Sequence, residues 1–237
     1  MNPARRRPPG FVIAIDGPAA SGKGSVATFL GRRLGLPVLD TGLLYRGVGV
    51  AAQRLGIDLD DAAAVGEVAR RLDLGALDDP SLRTRAAGEA ASRVAAHAAV
   101  REALLALQRD FAGGDGGAIL DGRDIGTVIA PDAPCKLFVT ASADERARRR
   151  HAQLTAQGEA ADLGAVRHDI LRRDARDGGR DAAPMRQADD AVLLDTTDLA
   201  IDAAFDAALR IVEAARDRWE QSQKANPPAP NHRRPAG

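Results

Sequence analysis

The chain has 237 residues, of which 45% are hydrophobic and only 3% are aromatic, so its core must be built mainly from Ala, Leu and Val. Thirty-three basic residues balance 33 acidic residues, which argues against a global attraction to nucleic acid or to a membrane surface. No apolar run approaches the roughly 20 residues that a membrane-spanning helix needs. The single cysteine, Cys135, excludes an internal disulfide and is typical of a reducing, cytoplasmic compartment.

Composition divides the chain into three parts. Residues 1–10 contain three consecutive arginines and are predicted to form a flexible basic arm. Residues 11–221 carry the hydrophobic patterning of a folded domain. Residues 222–237 are rich in proline and polar residues and are predicted to be a disordered tail.

The first patterned stretch, residues 11–25, reads FVIAIDGPAASGKGS. An apolar strand, a glycine-rich turn, a lysine and a helix in this order are typical of a phosphate-binding loop, in which backbone amides and a helix N-terminus surround a phosphate. The residues predicted to bind the phosphates of a nucleotide are Gly17, Pro18, Ala19, Ala20, Ser21, Gly22, Lys23, Gly24 and Ser25. Ser25 is the candidate hydroxyl ligand of a metal, although Gly24 separates it from the lysine.

The rest of the chain alternates between strand-like and helix-like segments. The predicted strands lie at 11–15, 37–40, 118–121, 136–140 and 191–197. The predicted helices lie at 25–34, 41–55, 61–72, 86–111, from about 143, at 162–175 and at 200–220, with loops at 73–85 and 176–183. This alternation indicates an α/β fold with a parallel sheet covered on both faces, whose ligands bind at the carboxyl ends of the strands.

Three further segments place arginines beside that edge of the sheet. They read DTGLLYR up to Arg46, DGRDIGT around Arg123, and RRDARDGGR up to Arg180. Phosphoryl transfer between two phosphorylated molecules needs cations on both of them and on the group in flight. Asp121 follows an apolar strand as a Walker B acid does, so we expect it to hold magnesium through water.

Surface ion pairing is the alternative interpretation of these arginines. For the run ERARRR, which ends at Arg150, this alternative stays open. For RRDARDGGR it is less favoured, because the glycines predict a mobile loop there rather than a braced salt bridge.

The segments GPAASGKGS, LDTGLLYRGVGVAA, AASRVAAHAAVREALL, DGRDIGTVIAPDAPCKLFVTAS and RRDARDGGRDAAP resemble bacterial cytidylate kinases, from the loop through about Ile201. The resemblance implies a P-loop nucleoside triphosphate hydrolase-type sheet with a monophosphate-binding insert at about 57–92 and a mobile lid at about 150–183. It implies a monomeric phosphotransferase with a phosphate group as acceptor, which uses ATP and Mg²⁺ to phosphorylate CMP and dCMP.

The resemblance also implies individual roles. Lys23, Arg123 and Arg180 would be catalytic, and Arg146 and Arg150 would reach ATP from the lid side. The residues that would contact CMP are Thr41, Arg46, Ser92, Arg101, Arg123, Asp124, Arg173, Asp177 and Arg180.

Among these residues Ser92, Arg101 and Asp124 would bind the base. The amino group of cytosine can donate to a carboxylate, whereas uracil presents a carbonyl oxygen there. An unpaired buried polar group costs about 1–3 kcal/mol, or about a 5- to 150-fold preference.

One departure from the resemblance concerns the insert. The family carries a small antiparallel sheet there. In this chain residues 73–85 read DLGALDDPSLRTR, which is shorter than the family's segment and lacks the alternation of apolar and polar residues that a strand shows. We expect CMP binding to persist, since Ser92 and Arg101 lie beyond the shortened part.

Two alternative functions remain. One is another kinase of this fold, acting on UMP and CMP, on AMP or on shikimate. The other is a nucleotide-gated switch, although the sequence has no guanine-reading NKxD stretch.

Overall fold

The computed structural model describes residues 10–225. Five strands form one parallel sheet in the order β2-β3-β1-β4-β5, which confirms the predicted α/β fold. The strands are β1 Val12–Asp16, β2 Val38–Asp40, β3 Ala118–Gly122, β4 Cys135–Thr140 and β5 Val192–Asp195. The helices are α1 Lys23–Leu34, α2 Thr41–Arg54, α3 Ala62–Arg70, α4 Arg85–Val94, α5 Ala98–Ala112, α6 Ala143–Ala156, α7 Leu163–Gly179 and α8 Ile201–Ala225.

The central strand β1 is buried on both faces, because alternate side chains enter two separate hydrophobic clusters. Ile13 and Ile15 pack with residues of α1 and α8. Val12 and Ala14 pack on the opposite face, with Leu120 of β3 among others. In the sheet register Asp16 lies opposite Gly122, and Asp40 lies opposite Asp121. The carboxyl ends of β1, β2 and β3 therefore meet at one edge, where ligands are expected.

The long helix predicted at 86–111 is wrong, because two helices, α4 and α5, occupy that stretch. His97 has an extended backbone conformation, and its ring nitrogen Nε2 lies 2.8 Å from the carbonyl oxygen of Leu59. The two helices pack against different partners: a Cβ atom on Gly49 of α2 would lie 2.8 Å from that of Ala90, and a Cβ on Gly66 of α3 would lie 2.9 Å from that of Ala99. A straight helix could not make both approaches.

The loop predicted at 176–183 is also wrong in its first part, since α7 continues to Gly179. The side chains of this last turn are held by the rest of the protein. Arg176 binds Glu89 at 2.8 Å, and Ser92 donates to Asp177 at 3.0 Å. These contacts hold the turn helical in spite of its two glycines.

Smaller differences occur elsewhere. The loop at 73–85 contains two 3₁₀ turns, Leu74–Asp78 and Pro80–Arg83, and no strand lies between residues 57 and 92. A π-helix at Ile125–Ile129 was not predicted. The last helix runs to Ala225, past the expected start of the tail at 222. The rest of that tail, and the predicted arm apart from Gly10, lie outside the described residues.

Between residues 10 and 225 no helix combines the length and apolar composition that crossing a bilayer requires.

Candidate active site

The glycine-rich turn after β1 has a backbone that only small residues allow. Gly17 and Gly22 have φ angles of 148° and 91°, and Ala20 has a φ of 60°. A Cβ atom on Gly17 would lie 2.0 Å from the carbonyl oxygen of Val139. Gly22 precedes α1 and no side chain caps the helix, so its first amides are free to bind an anion.

Lys23 opens α1 and points back into this loop. Its ammonium nitrogen Nζ lies 3.4 Å from the carbonyl oxygen of Pro18 and 3.7 Å from Oδ1 of Asp121. Burial and the neighbouring Arg123 guanidinium lower the pKa of Lys23 to about 8, against the opposite influence of Asp121. The lysine is thus a buried cation short of negative partners.

A cavity of about 620 Å³ lies beside the loop. Its walls include seven cationic residues, Lys23, Arg46, Arg85, Arg123, Arg150, Arg172 and Arg173, and three carboxylates, Glu89, Glu159 and Asp169. Arg85 pairs with Asp169 and Arg172 pairs with Glu89, and the other five cations come from four helices and one strand end. Burial and the charge of Arg123 lower the pKa of Arg173 to about 10. Burial is likewise the first cause that lowers the pKa of Arg46. Like charges held this close out of water form a strong site for a polyanion such as a chain of phosphates.

A second, smaller cleft of about 40 Å³ adjoins this cavity, with Arg123 and Arg173 lining both. It contains the remaining residues that were predicted to bind CMP: Thr41, Ser92, Arg101, Asp124, Asp177 and Arg180. They are tied to one another across the cleft. Asp124 binds Arg101 and lies 3.5 Å from Arg180, and Asp177 binds Ser92 and Arg123 at 3.0 and 3.2 Å. Polar groups in this arrangement can read the edge of a base or the hydroxyls of a sugar.

Two of the predicted residues in the small cleft donate hydrogen bonds to backbone carbonyl oxygens. Arg180 lines the small cleft and is not brought to the cavity of Lys23. Its Nε donates to the carbonyl oxygen of Ala183 at 2.6 Å. Thr41 lines the same cleft, but its hydroxyl donates to the carbonyl oxygen of Asp121 at 2.7 Å. That bond joins the start of α2 to the end of β3 and leaves the oxygen lone pairs of Thr41 available.

The run that ends at Arg150 proves to be mixed. Arg148 makes an exposed ion pair with Glu145, as the surface interpretation expects. Arg146 is buried, binds both oxygens of Asp174 at 3.1 and 2.6 Å, and approaches the carbonyl oxygen of Ala19. Arg150 faces the large cavity. In this run, therefore, Arg146, Arg149 and Arg150 reach the phosphate loop or its cavity, and Arg148 does not.

Arg149 was missed by sequence reasoning. Its guanidinium donates to the hydroxyl and the carbonyl oxygen of Thr196 at 2.9 and 2.7 Å, and it approaches the carbonyl oxygen of Ser21. With Ser25 and Ile201 it lines a third cavity of about 280 Å³ on the outer side of the loop. Its spacing of three residues from Arg146 places both on one side of α6 and was the available signal.

The carboxylate of Asp121 has the environment of a metal-binding group. It is buried, its Oδ1 has no hydrogen-bond partner, and its Oδ2 would lie 3.1 Å from a Cβ atom on Gly24. Burial raises the pKa of Asp121 to about 6, and Asp40 adds to this while Lys23 opposes it. A divalent cation near the loop would satisfy the free oxygen, directly or through water. Ser25 is exposed, and it lines the cavity of Arg149 and Ile201 rather than a space shared with Asp121.

Comparison with known proteins agrees with this geometry. Residues 13–214 match the family model described as cytidylate kinase. The chain is 60% identical over 209 residues to a cytidylate kinase of Caulobacter sp. (strain K31), covering 88% of this chain and 97% of the relative. It is 62% identical to that of Caulobacter vibrioides, with 88% and 98% covered, and 58% identical to that of Methylocella silvestris, with 87% and 96% covered. The chain belongs to the cytidylate kinase family.

Proposed function

We propose that this protein transfers the γ-phosphoryl group of ATP to CMP and dCMP, giving ADP with CDP or dCDP. One observation carries the proposal. Cations from separate segments converge between a phosphate loop and a cleft whose polar groups suit a base, and Arg123 and Arg173 line both spaces. A phosphoryl group passing between two nucleotides needs this arrangement, since both carry negative charge.

The donor nucleotide binds along the loop. Residues 17–25 surround its phosphates, and Lys23 neutralises the terminal ones. Arg150 meets them from the opposite wall of the large cavity. Arg146 acts through the loop and through Asp174, because its guanidinium is already committed to these groups.

The acceptor lies across the two spaces. Arg46 and Arg123 bind its phosphate, and Arg123 also contacts the group in transit. The base occupies the cleft of Ser92, Arg101 and Asp124, while Arg173 and Asp177 meet the sugar. Thr41 accepts one hydrogen bond where the two spaces meet, since its hydroxyl already donates to the carbonyl oxygen of Asp121. Arg180 reaches the phosphates from its bond with Asp124 when the cleft is filled.

Magnesium is the metal that this chemistry requires. Asp121 would hold it through water and Ser25 would offer its hydroxyl, and Oδ1 of Asp121 accepts no hydrogen bond, although it lies 3.7 Å from Nζ of Lys23. When bound, Mg²⁺ neutralises charge on the phosphates of the donor.

No side chain has to act as a nucleophile. An oxygen of the CMP phosphate attacks the γ-phosphorus of ATP in line, and the protein aligns the two and excludes water. We propose that the insert, about 57–92, and the lid, about 150–183, close over the substrates. α4 and α7, which carry much of these two segments, already meet through Glu89 and Arg176.

Other properties follow from this function. We expect a cytoplasmic monomer that does not bind nucleic acid. Cys135 is buried, and burial raises the pKa of its thiol to about 12, which leaves it an unreactive residue of the core. Sedimentation of the purified protein would test the monomer.

A coupled assay that follows ADP release tests the function. ATP and Mg²⁺ are supplied with CMP, dCMP, UMP or AMP, or with no acceptor. We expect fast release with CMP and dCMP, slow release with UMP and AMP, and almost none without acceptor. A preference for AMP or UMP would assign another kinase of this fold. Slow hydrolysis that acceptors do not change would indicate a nucleotide-gated switch.

A further inference from the structure

Asp16 links the two halves of the site without lining either of the two spaces described above. It is the last residue of β1, directly before Gly17 of the phosphate loop, and its side chain is buried. Its Oδ1 accepts a hydrogen bond from the backbone amide of Ile125, and its Oδ2 accepts one from the amide of Gly126, each at 2.8 Å. These amides follow directly on Arg123 and Asp124.

The two amides need an external acceptor, because they open the π-helix Ile125–Ile129 and the first amides of a helix have no partner within it. Asp124 holds the capping position, but its side chain makes no capping bond and binds Arg101 instead. Asp16 takes over this capping role from the neighbouring strand. The carboxylate of Asp124 is thereby left free to face the cleft.

The surroundings of Asp16 commit it to these amides. The nearby Lys136 of β4, whose Cδ would lie 3.1 Å from a Cβ on Gly126, directs its ammonium group to Asp190 at 2.8 Å. Asp121 of β3 and Asp124 are the acidic neighbours. Burial, with these two charges, raises the pKa of Asp16 to about 7, while the two amide bonds lower it.

We propose that Asp16 is a positioning residue for phosphoryl transfer, which holds the acceptor-binding pair Arg123 and Asp124 in register with the phosphate loop through the amides of Ile125 and Gly126. The inference rests on the proposed function. A shift of the reacting groups by one ångström is enough to slow transfer strongly, and Asp16 is the side chain that fixes this distance from the donor side.

The test is Asp16→Asn, which keeps the shape and one acceptor oxygen but turns an N–H toward one of the two amides. We expect kcat with CMP to fall about 5- to 150-fold, the range that follows from leaving a buried donor unpaired, and KM for CMP to rise. The dissociation constant of ATP should stay within about twofold, because the loop keeps its own glycine conformations. Asp190→Asn is the matched control, since it removes an exposed partner of Lys136 and leaves the two amides bonded.

A pH profile separates positioning from a loss of folding. Protonated Asp16 can accept only one of the two amide bonds, so kcat/KM of the natural enzyme for CMP should fall as the pH drops through about 7. In Asp16→Asn that limb should vanish. If Asp16→Asn does not fold, Gly126→Ala crowds this contact while every hydrogen-bonding group remains, because its Cβ would lie 3.1 Å from Cδ of Lys136 and 3.4 Å from Oδ2 of Asp16. It should raise KM for CMP with ATP binding unchanged.

Normal kcat and normal KM for CMP in the folded variant would overturn the inference, and so would a parallel loss of ATP affinity and thermal stability. Failure of the proposed function is recognised separately, because the natural enzyme would then not phosphorylate CMP in the same assay.

Discussion

The hydroxyl of Ser92 donates a 3.0 Å hydrogen bond to Asp177, and this bond joins α4 to α7 across the small cleft. The cleft holds only about 40 Å³, close to the share of liquid volume that one water molecule takes, about 30 Å³. A pyrimidine ring is several times larger. Under the proposed function the cleft must widen to admit the base, and we expect an outward movement of α4 from α7 that opens this bond.

Ser92→Ala tests the role of that hydroxyl. We expect KM for CMP to rise about 5- to 150-fold, because the base loses a buried partner, while KM for ATP stays unchanged. Steady-state kinetics with each substrate varied in turn gives both values. Ser81→Ala is the control, since it makes the same change on the insert, where the hydroxyl bonds with Arg54 and Asp79 outside the small cleft. Equal KM values for CMP in both variants would contradict the assignment.

Lys23 predicts a dependence on alkaline pH. Its lowered pKa of about 8 means that the free protein loses this positive charge as the pH rises through 8. We expect kcat/KM for ATP to fall above pH 8, since this parameter reports the free enzyme. Bound phosphates favour the charged form of the lysine, so kcat should begin to fall at a higher pH than kcat/KM does.

Two variants complete this prediction. Lys23→Arg keeps its charge over the whole range, so the alkaline limb should disappear even if the rate is reduced. Lys23→Ala should lower kcat by at least about 10²- to 10³-fold with an unchanged circular dichroism spectrum. Near-normal turnover in Lys23→Ala would remove the loop lysine from the reaction.

Much of the fold could be predicted because its signals are local. The five strands are short apolar runs, and β1 is followed at once by the glycines and lysine that make the phosphate loop. Arg123 and Asp124 could be assigned to the site in the same way, since they directly follow β3 and ligands of a parallel sheet bind at the carboxyl ends of its strands. These features depend on neighbours within a few residues, which is the range over which a sequence pattern acts.

The remaining features depend on contacts between distant segments. The break at His97 needs Leu59, and the helical turn around Asp177 needs Ser92. Local propensity favoured a continuous helix in the first case and a loop in the second, and tertiary packing overrode both. Asp16 is similar, because nothing in the first strand indicates that amides more than 100 residues away will be its partners.

Asp121→Asn tests the metal site. The amide removes the negative charge that a divalent cation needs, so the magnesium concentration for half-maximal rate should rise and kcat at saturating magnesium should fall. Titration of the rate with MgCl₂ at fixed ATP measures both. Asp132→Asn, which alters an exposed carboxylate, should leave the curve in place. Identical curves for Asp121→Asn and the natural protein would place the metal elsewhere.

Asp124→Ala tests the reading of the base. The substitution leaves Arg101 and Arg180 without their carboxylate, so we expect kcat/KM to fall for every acceptor. The ratio between CMP and UMP isolates base recognition from this common loss. Cytosine loses an acceptor for its amino group, whereas uracil is relieved of a carboxylate facing its carbonyl oxygen.

The CMP-to-UMP ratio of kcat/KM should therefore narrow about 5- to 150-fold. Competition of both acceptors in one reaction, with the two diphosphates separated by chromatography, measures it directly. Asp132→Ala should keep the natural ratio, because its carboxylate is exposed and lies outside the lining of the cleft. If Asp124→Ala kept it as well, the carboxylate would serve only to neutralise two buried arginines, and discrimination against uracil would have to come from Ser92 or Arg101.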